Sequence, residues 1–162
     1  MKASVKGQKV IHPLKPIFNK DSEVLILGSF PSVVSRNRNM YYANPTNRFW
    51  KVMEMMFSMQ IENREQFCLQ QHLALWDVIH SCTIHGSSDS SIQDVVVNDI
   101  ASIVKNTKIK AIFTTGTKAT NLYEKYIHLD IPHYALPSTS SANAKMHIEE
   151  LVLHYQKIKE IL

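Results

Sequence analysis

Val24–Gly28 reads VLILG, four aliphatic residues closed by a glycine. No polar residue interrupts the run, so a strand built from it has no side to offer to water. Such a strand belongs inside a parallel sheet that is covered on both faces. Three further segments share this character: 73–79 (LALWDVI), 111–115 (AIFTT) before Gly116, and 131–136 (IPHYAL). Between them the apolar spacing lengthens to a helical period, predicting helices over 45–59, 64–70, 92–105 and 117–126. A last helix is predicted from 142 to the C-terminus, with Ile148, Leu151, Val152, Tyr155 and Ile158 on one stripe.

Parallel neighbours need crossover connections, so alternating strands and helices predict a three-layer α/β/α sandwich around a central, mostly parallel four-stranded sheet. Ligands of such sheets bind beyond the carboxyl ends of the strands. The loops 29–35 (SFPSVVS), 80–91 (HSCTIHGSSDSS) and 137–143 (PSTSSAN) are therefore expected along one edge. No internal repeat or linker divides the chain, and one domain over residues 1–162 is the expectation.

At 162 residues the chain can bury a substantial core, and 44% hydrophobic with 20% charged residues is the balance of a soluble protein. No apolar run approaches the roughly eighteen residues of a membrane span. The opening MKASVKGQKVIHPLKPIF has no continuous apolar stretch of the secretory kind, so a cytoplasmic location is expected, nucleoid-associated in a prokaryote. Two cysteines, Cys68 and Cys82, suit reduced buried thiols better than a disulfide framework. The net charge of +4 goes with lysines at 2, 6, 9, 15 and 20 and with Arg36, Arg38, Arg48 and Lys51. That distribution favours an anionic partner, nucleic acid first, although it equally serves solubility.

The stretch 40–50, MYYANPTNRFW, concentrates aromatic surface beside a free amide. Asn44-Pro45 looks like a helix N-cap followed by proline at the first helical position, which puts Asn47 in the first turn. An amide there can hold a water or a base edge, or it can be a plain surface residue. Tyr41 and Tyr42 cannot face one direction in an extended segment, so one is expected to pack inward and the other to face a ligand. The hydroxyl-rich PSTSSAN can approach a phosphate backbone closely, or can simply lead into a helix with Ser140 or Ser141 as cap.

Cys68, His72, His80, Cys82 and His85 are suitable zinc ligands by type. A seven-residue strand between His72 and His80 spans about 23 Å at about 3.3 Å per residue, however, and would hold those two apart. His80, Cys82 and His85 alone lack a fourth ligand, so no metal site is expected. Gly116 to Thr120 lacks the spacing of a phosphate-binding loop. Asp77 and Asp89 are the acids best placed for the cleft, with a hydrogen-bonded structural role as the alternative for Asp77.

Taken in order, GSFPS (28–32), YYANPTNRFW (41–50) and LPSTSSAN (136–143) resemble the uracil-DNA glycosylase superfamily, most closely its hypoxanthine-DNA glycosylase branch. WDVI (76–79) and GSSD (86–89) also look like that branch, and the resemblance runs from about 24 to 145. It implies an α/β/α sandwich that flips a deaminated base, hypoxanthine or uracil, out of double-stranded or single-stranded DNA. The N-glycosidic bond is then hydrolysed to leave an abasic site, with no metal or other cofactor.

By the same resemblance Asn47 matches the catalytic asparagine and Tyr42 the aromatic that stacks on the flipped base, with Gly28, Ser29, Phe30 and Pro31 around that base. Ser32, Arg36, Arg38 and Arg48, with the minor-groove loop Pro137, Ser138, Thr139, Ser140, Ser141 and Asn143, are the expected DNA contacts. Uracil-specific relatives carry Asp or Asn where this chain has Phe30 and often His where it has Leu136, so neither position supplies water activation or an imidazole. Ser141 stands where the branch has proline. A catalytically silent DNA-binding member of the fold, or a hydrolase of free nucleosides, stays open at this point; a monomer is the default.

Overall fold

The computed structural model describes residues 7–162; Lys2 and Lys6 of the basic N-terminal series lie outside them. Its elements in chain order are β1 (Gln8–Ile11), β2 (Val24–Gly28), α1 (Val33–Arg38), α2 (Phe49–Phe57), α3 (Arg64–Gln70), β3 (Leu73–Asp77) and β4 (Ile79–Ile84). They continue with β5 (Gln93–Val97), α4 (Ile100–Lys105), β6 (Ala111–Thr115), α5 (Thr117–Tyr126), β7 (His133–Leu136) and α6 (Ile148–Ile161).

Four strands form a parallel sheet in the order β3-β2-β6-β7. All five residues of β2 are buried, the consequence of an unbroken aliphatic run with strands on both sides and layers on both faces. Alternation divides the run between two cores. Val24 and Ile26 meet Phe49, Met53 and Met56 of α2, Phe67 and Cys68 of α3, and Leu151, Tyr155 and Ile158 of α6. Leu25 and Leu27 meet Ile100 and Ile103 of α4, Leu122 and Tyr123 of α5, and Ile79, Cys82 and Ile84 of β4. The α/β/α sandwich and its parallel four-stranded sheet are thus as the sequence led one to expect.

The second face also carries a three-stranded antiparallel sheet, β1-β4-β5, that the alternation did not predict. LALWDVI is two elements: β3 stops at Asp77, and Val78 N–H and Ile79 N–H donate to the carbonyls of Gly28 and Ser29 before Ile79 pairs with Val97. Burial continues unbroken through the junction, which hid it in the sequence. The loop expected over 80–91 begins as β4, and the helix expected over 92–105 is β5 plus α4. The β-branched VVV run of β5 pairs with β4 through register shifts, and Asp94 takes φ 55.

Two helix starts also differ from expectation. Asn44 does not cap α2: its Oδ1 accepts from Thr46 N–H, closing a turn that delays the helix to Phe49 behind Arg48. The last helix starts at Ile148, not near 142, because Asn143, Ser140 and Met146 give their carbonyls to Arg48 instead of to a helix.

Candidate active site

The strand registers pair Gly28 with Asp77, Leu27 with Thr114 and Thr115 with Leu136, so Asp77, Gly28, Thr115 and Leu136 stand in a row along the carboxyl edge. Over this edge lies a cavity of about 180 Å³. That is small beside the roughly 300–1,000 Å³ of sites for drug-sized ligands, and it suits one flat heterocycle. Gly28, Ser29, Phe30, Pro31 and Ser32 line one side, Tyr42 and Asn47 another, and Ser138, Thr139, Ser140 and Ser141 a third. The three separated sequence segments therefore meet at one hollow.

Asn47 is fixed by its oxygen. Its Oδ1 accepts from Phe49 N–H at 2.9 Å and from the Thr139 hydroxyl at 2.8 Å. A backbone N–H can face only an acceptor, so the amide orientation is set and the NH₂ group, with no acceptor among the described residues, is the part left for a ligand. Thr139 is only 1% exposed.

Tyr41 and Tyr42 lie in a turn, not in an extended segment, and both border the cavity. Tyr41 is buried and donates to Lys15 O at 2.9 Å. Tyr42 borders the cavity, with one ring face stacked on Phe49 at 3.9 Å between centroids and its hydroxyl 3.3 Å from Thr115 Oγ1. Its backbone takes φ 53, a sparsely populated region for an aromatic residue, held by these contacts. Burial raises the Tyr42 hydroxyl pKa, with nearby Asp77 adding to the effect, so the phenol stays neutral.

Asp77 is 4% exposed and borders the same cavity. His12 Nε2 lies 2.7 Å from its Oδ2, while Oδ1 has no partner among the described residues. Gly28 makes room for that oxygen: a Cβ there would stand 2.6 Å from Oδ1 and 3.4 Å from the Tyr42 hydroxyl. Asp89 accepts from the Ser29 hydroxyl at 2.8 Å; desolvation beside the cavity pushes its carboxyl pKa up, against the pull of that bond.

The remaining residues expected to contact DNA do not line the hollow. The Arg48 guanidinium donates to the carbonyls of Met146, Ser140 and Asn143, and so braces the 137–146 segment from within. Asn143 Nδ2 donates to Ser138 O at 3.0 Å, and Pro137 O accepts from the Tyr155 hydroxyl at 2.6 Å. Arg36 donates to Gly86 O at 2.8 Å with its guanidinium over the Phe30 ring. Arg38, at the end of α1, is exposed. Among the described residues no three His, Cys, Asp or Glu side chains converge as metal ligands.

Sequence reasoning missed His12 altogether and left Asp77 between a cleft acid and a structural one. Asp77 had a local signal, an acid closing an apolar strand. His12 had none, being brought in by the antiparallel pairing of β1 with β4.

The sequence profile described as the uracil DNA glycosylase superfamily matches residues 16–159. A hypoxanthine DNA glycosylase of Methanosarcina acetivorans is 32% identical over 136 residues, covering 80% of this chain and 85% of that protein. One of Methanosarcina barkeri is 30% identical over 138 residues, covering 80% and 86%. A solution NMR structure from Methanosarcina acetivorans, described as a candidate uracil DNA glycosylase, superposes with a TM-score of 0.76 at 28% identity over 93% of this chain and 99% of its own. With a profile match that spans the parallel sheet and all three walls of the cavity, this chain belongs to the uracil DNA glycosylase superfamily.

Proposed function

We propose that the protein is a monofunctional DNA N-glycosylase that removes a deaminated base, hypoxanthine first, from duplex DNA and leaves an abasic site. The observation that carries this reading is the pairing, on one base-sized cavity, of a committed donor with a committed acceptor. Asn47 can offer only its NH₂ group, and Asp77 presents a free carboxylate oxygen.

Deamination converts a ring nitrogen acceptor and an amino donor into an N–H donor and a carbonyl acceptor. A donor and a carboxylate acceptor bordering the same cavity complement the deaminated pattern and oppose the normal one, whose polar groups would be left unpaired. Hypoxanthine and uracil share that pattern; the names of the Methanosarcina relatives favour hypoxanthine.

Bond cleavage builds oxocarbenium character on the sugar and negative charge on the departing base. Fixed donors near the base lower that barrier without a protein nucleophile. Asn47 serves as such a donor and Tyr42 supplies the ring surface; a water molecule adds to the sugar carbon as the bond breaks, and the base leaves with a proton, giving the abasic site and the free base. Extrusion costs a few kcal/mol, roughly, and least for a mispaired base, which selects damage before chemistry. The 137–143 loop and exposed Arg38 are our candidates for the DNA contacts of a monomeric enzyme.

The test is incubation with duplexes carrying hypoxanthine, uracil, xanthine or normal bases, followed by alkali to break abasic sites. Strand breaks at hypoxanthine are expected. Salt-sensitive binding with no breaks would instead mark a silent DNA-binding protein, and release of base from free nucleosides alone would overturn a DNA substrate.

A further inference from the structure

His12 lies ahead of the profile match, which begins at residue 16, yet its imidazole contacts Asp77, a residue that borders the cavity. The segment that delivers it is fastened at both ends. β1 pairs with β4 up to Ile11 and Ser81, and His12 N–H donates to His80 O at 2.7 Å. At the other end Ile17 exchanges two 2.9 Å backbone hydrogen bonds with Leu75 on the edge of the parallel sheet. Between these anchors the imidazole, 2% exposed, sits edge-on to the Phe30 ring at 5.8 Å and beside the Tyr41 ring at 6.1 Å. Its Nδ1 lies 3.0 Å from Leu14 O and accepts from Leu14 N–H at 3.3 Å, and its Nε2 meets Asp77 Oδ2.

We infer that His12 is a positioning residue for base selection, holding Asp77 so that Oδ1 faces the cavity as an acceptor for the ring N–H of a deaminated base. A carboxyl group without a fixed partner is free to rotate and to turn either oxygen toward the cavity. The contact with Nε2 removes that freedom: it holds Oδ2 and leaves Oδ1 as the reader. The stretch 8–17 thereby becomes part of the recognition apparatus, although it contributes no atom to the cavity wall.

The inference rests on the glycosylase reading, and the experiment separates the two. Single-turnover cleavage is measured on duplexes bearing deoxyinosine or N1-methyl-deoxyinosine, the latter lacking the ring N–H. Wild type, His12→Phe, His12→Gln, Asp77→Asn and the His12→Phe/Asp77→Asn pair are compared, with thermal melts for each. A wild-type protein that leaves deoxyinosine intact sinks the glycosylase reading itself.

Given wild-type cleavage, His12→Phe is expected to slow deoxyinosine about thirtyfold with DNA affinity unchanged, and to lose most of the preference over the N1-methyl substrate. His12→Gln, which keeps a donor near the Nε2 position, is expected to stay within about threefold of wild type. In the Asp77→Asn background the phenylalanine is expected to cost less than about twofold, because the partner it acts through is already changed. A full His12→Phe effect persisting in that background overturns the inference. So does His12→Gln losing rate as heavily as His12→Phe, or a preference over the N1-methyl substrate that survives in His12→Phe. Should His12→Phe alone fail to fold, the His12→Gln result and the Asp77→Asn pair decide.

Discussion

Thr139 donates its hydroxyl to Asn47 Oδ1 at 2.8 Å, across 92 residues of sequence, and so joins two walls of the cavity through one amide. With Phe49 N–H on the same oxygen, the Asn47 carboxamide has one orientation and one function left, that of a donor. Asn47→Ala is expected to reduce single-turnover cleavage of a deoxyinosine duplex by about 10²–10³-fold, the usual cost of one donor to a developing anion. Binding of the intact duplex should change little. Thr139→Val removes one of the two bonds that orient the amide and is expected to cost about 1 kcal/mol, roughly fivefold in rate. Cleavage by Asn47→Ala at the wild-type rate would take Asn47 out of the mechanism.

Gly28 faces Asp77 across the edge of two paired strands, and the approach leaves no room for a methyl group. A Cβ 2.6 Å from Asp77 Oδ1 must displace either the carboxylate or the strand. Gly28→Ala is expected to lose about 1–3 kcal/mol of stability by overpacking. Cleavage should fall more than about tenfold, because the displaced atom is the acceptor itself. A denaturant titration beside single-turnover kinetics checks both numbers.

The arginines divide into two kinds, and substitution should tell them apart. Arg48 is turned inward onto three carbonyls of the 140–146 segment. Arg48→Met is expected to cost roughly 2–4 kcal/mol and to speed amide hydrogen exchange across that segment, since bonds to a charged donor are the stronger ones. Arg38 is exposed at the end of α1. If it meets phosphate, Arg38→Ala leaves stability unchanged and lowers the log–log salt slope of duplex binding by about one. An unchanged slope would remove Arg38 from the DNA contacts.

The parts of this fold that were legible in sequence are those whose burial is complete or whose ends carry their own signals. β2 and β6 are short runs of apolar and β-branched residues stopped by glycine, and α5 follows Gly116 directly. The antiparallel sheet was not legible. β5 is exposed at Gln93, Asp94 and Val96 and bulged at Asp94, so its QDVVV reads as neither a buried strand nor a clean half-buried one. The three stretches that line the cavity were joined in sequence through their resemblance to a glycosylase family, each being weak on its own. Their division of labour was not legible, because it depends on contacts between residues far apart in the chain. Arg48 has the charge of a phosphate ligand and the position of an internal brace. His12 is 65 residues from Asp77 in sequence and 2.7 Å from it in space.

Cys68 offers a test of the core beneath α2 and α6 that is independent of DNA. The thiol is fully buried, and burial pushes its pKa from 9.0 up to about 12, with Glu65 adding to the effect. Between those two values the folded chain keeps a proton that the unfolded chain releases. Stability must therefore fall as pH rises through the window, by up to about 1.4 kcal/mol per pH unit for this group. Below about pH 9 the contribution is complete. Urea midpoints at pH 8, 9 and 10 should drop more steeply for the wild type than for Cys68→Ala, and the difference between the two isolates the thiol from lysines and tyrosines that titrate alongside it. Iodoacetamide at pH 8 should label Cys68 only after denaturation; rapid labelling of the folded protein would mean that this core opens far more readily than its packing implies.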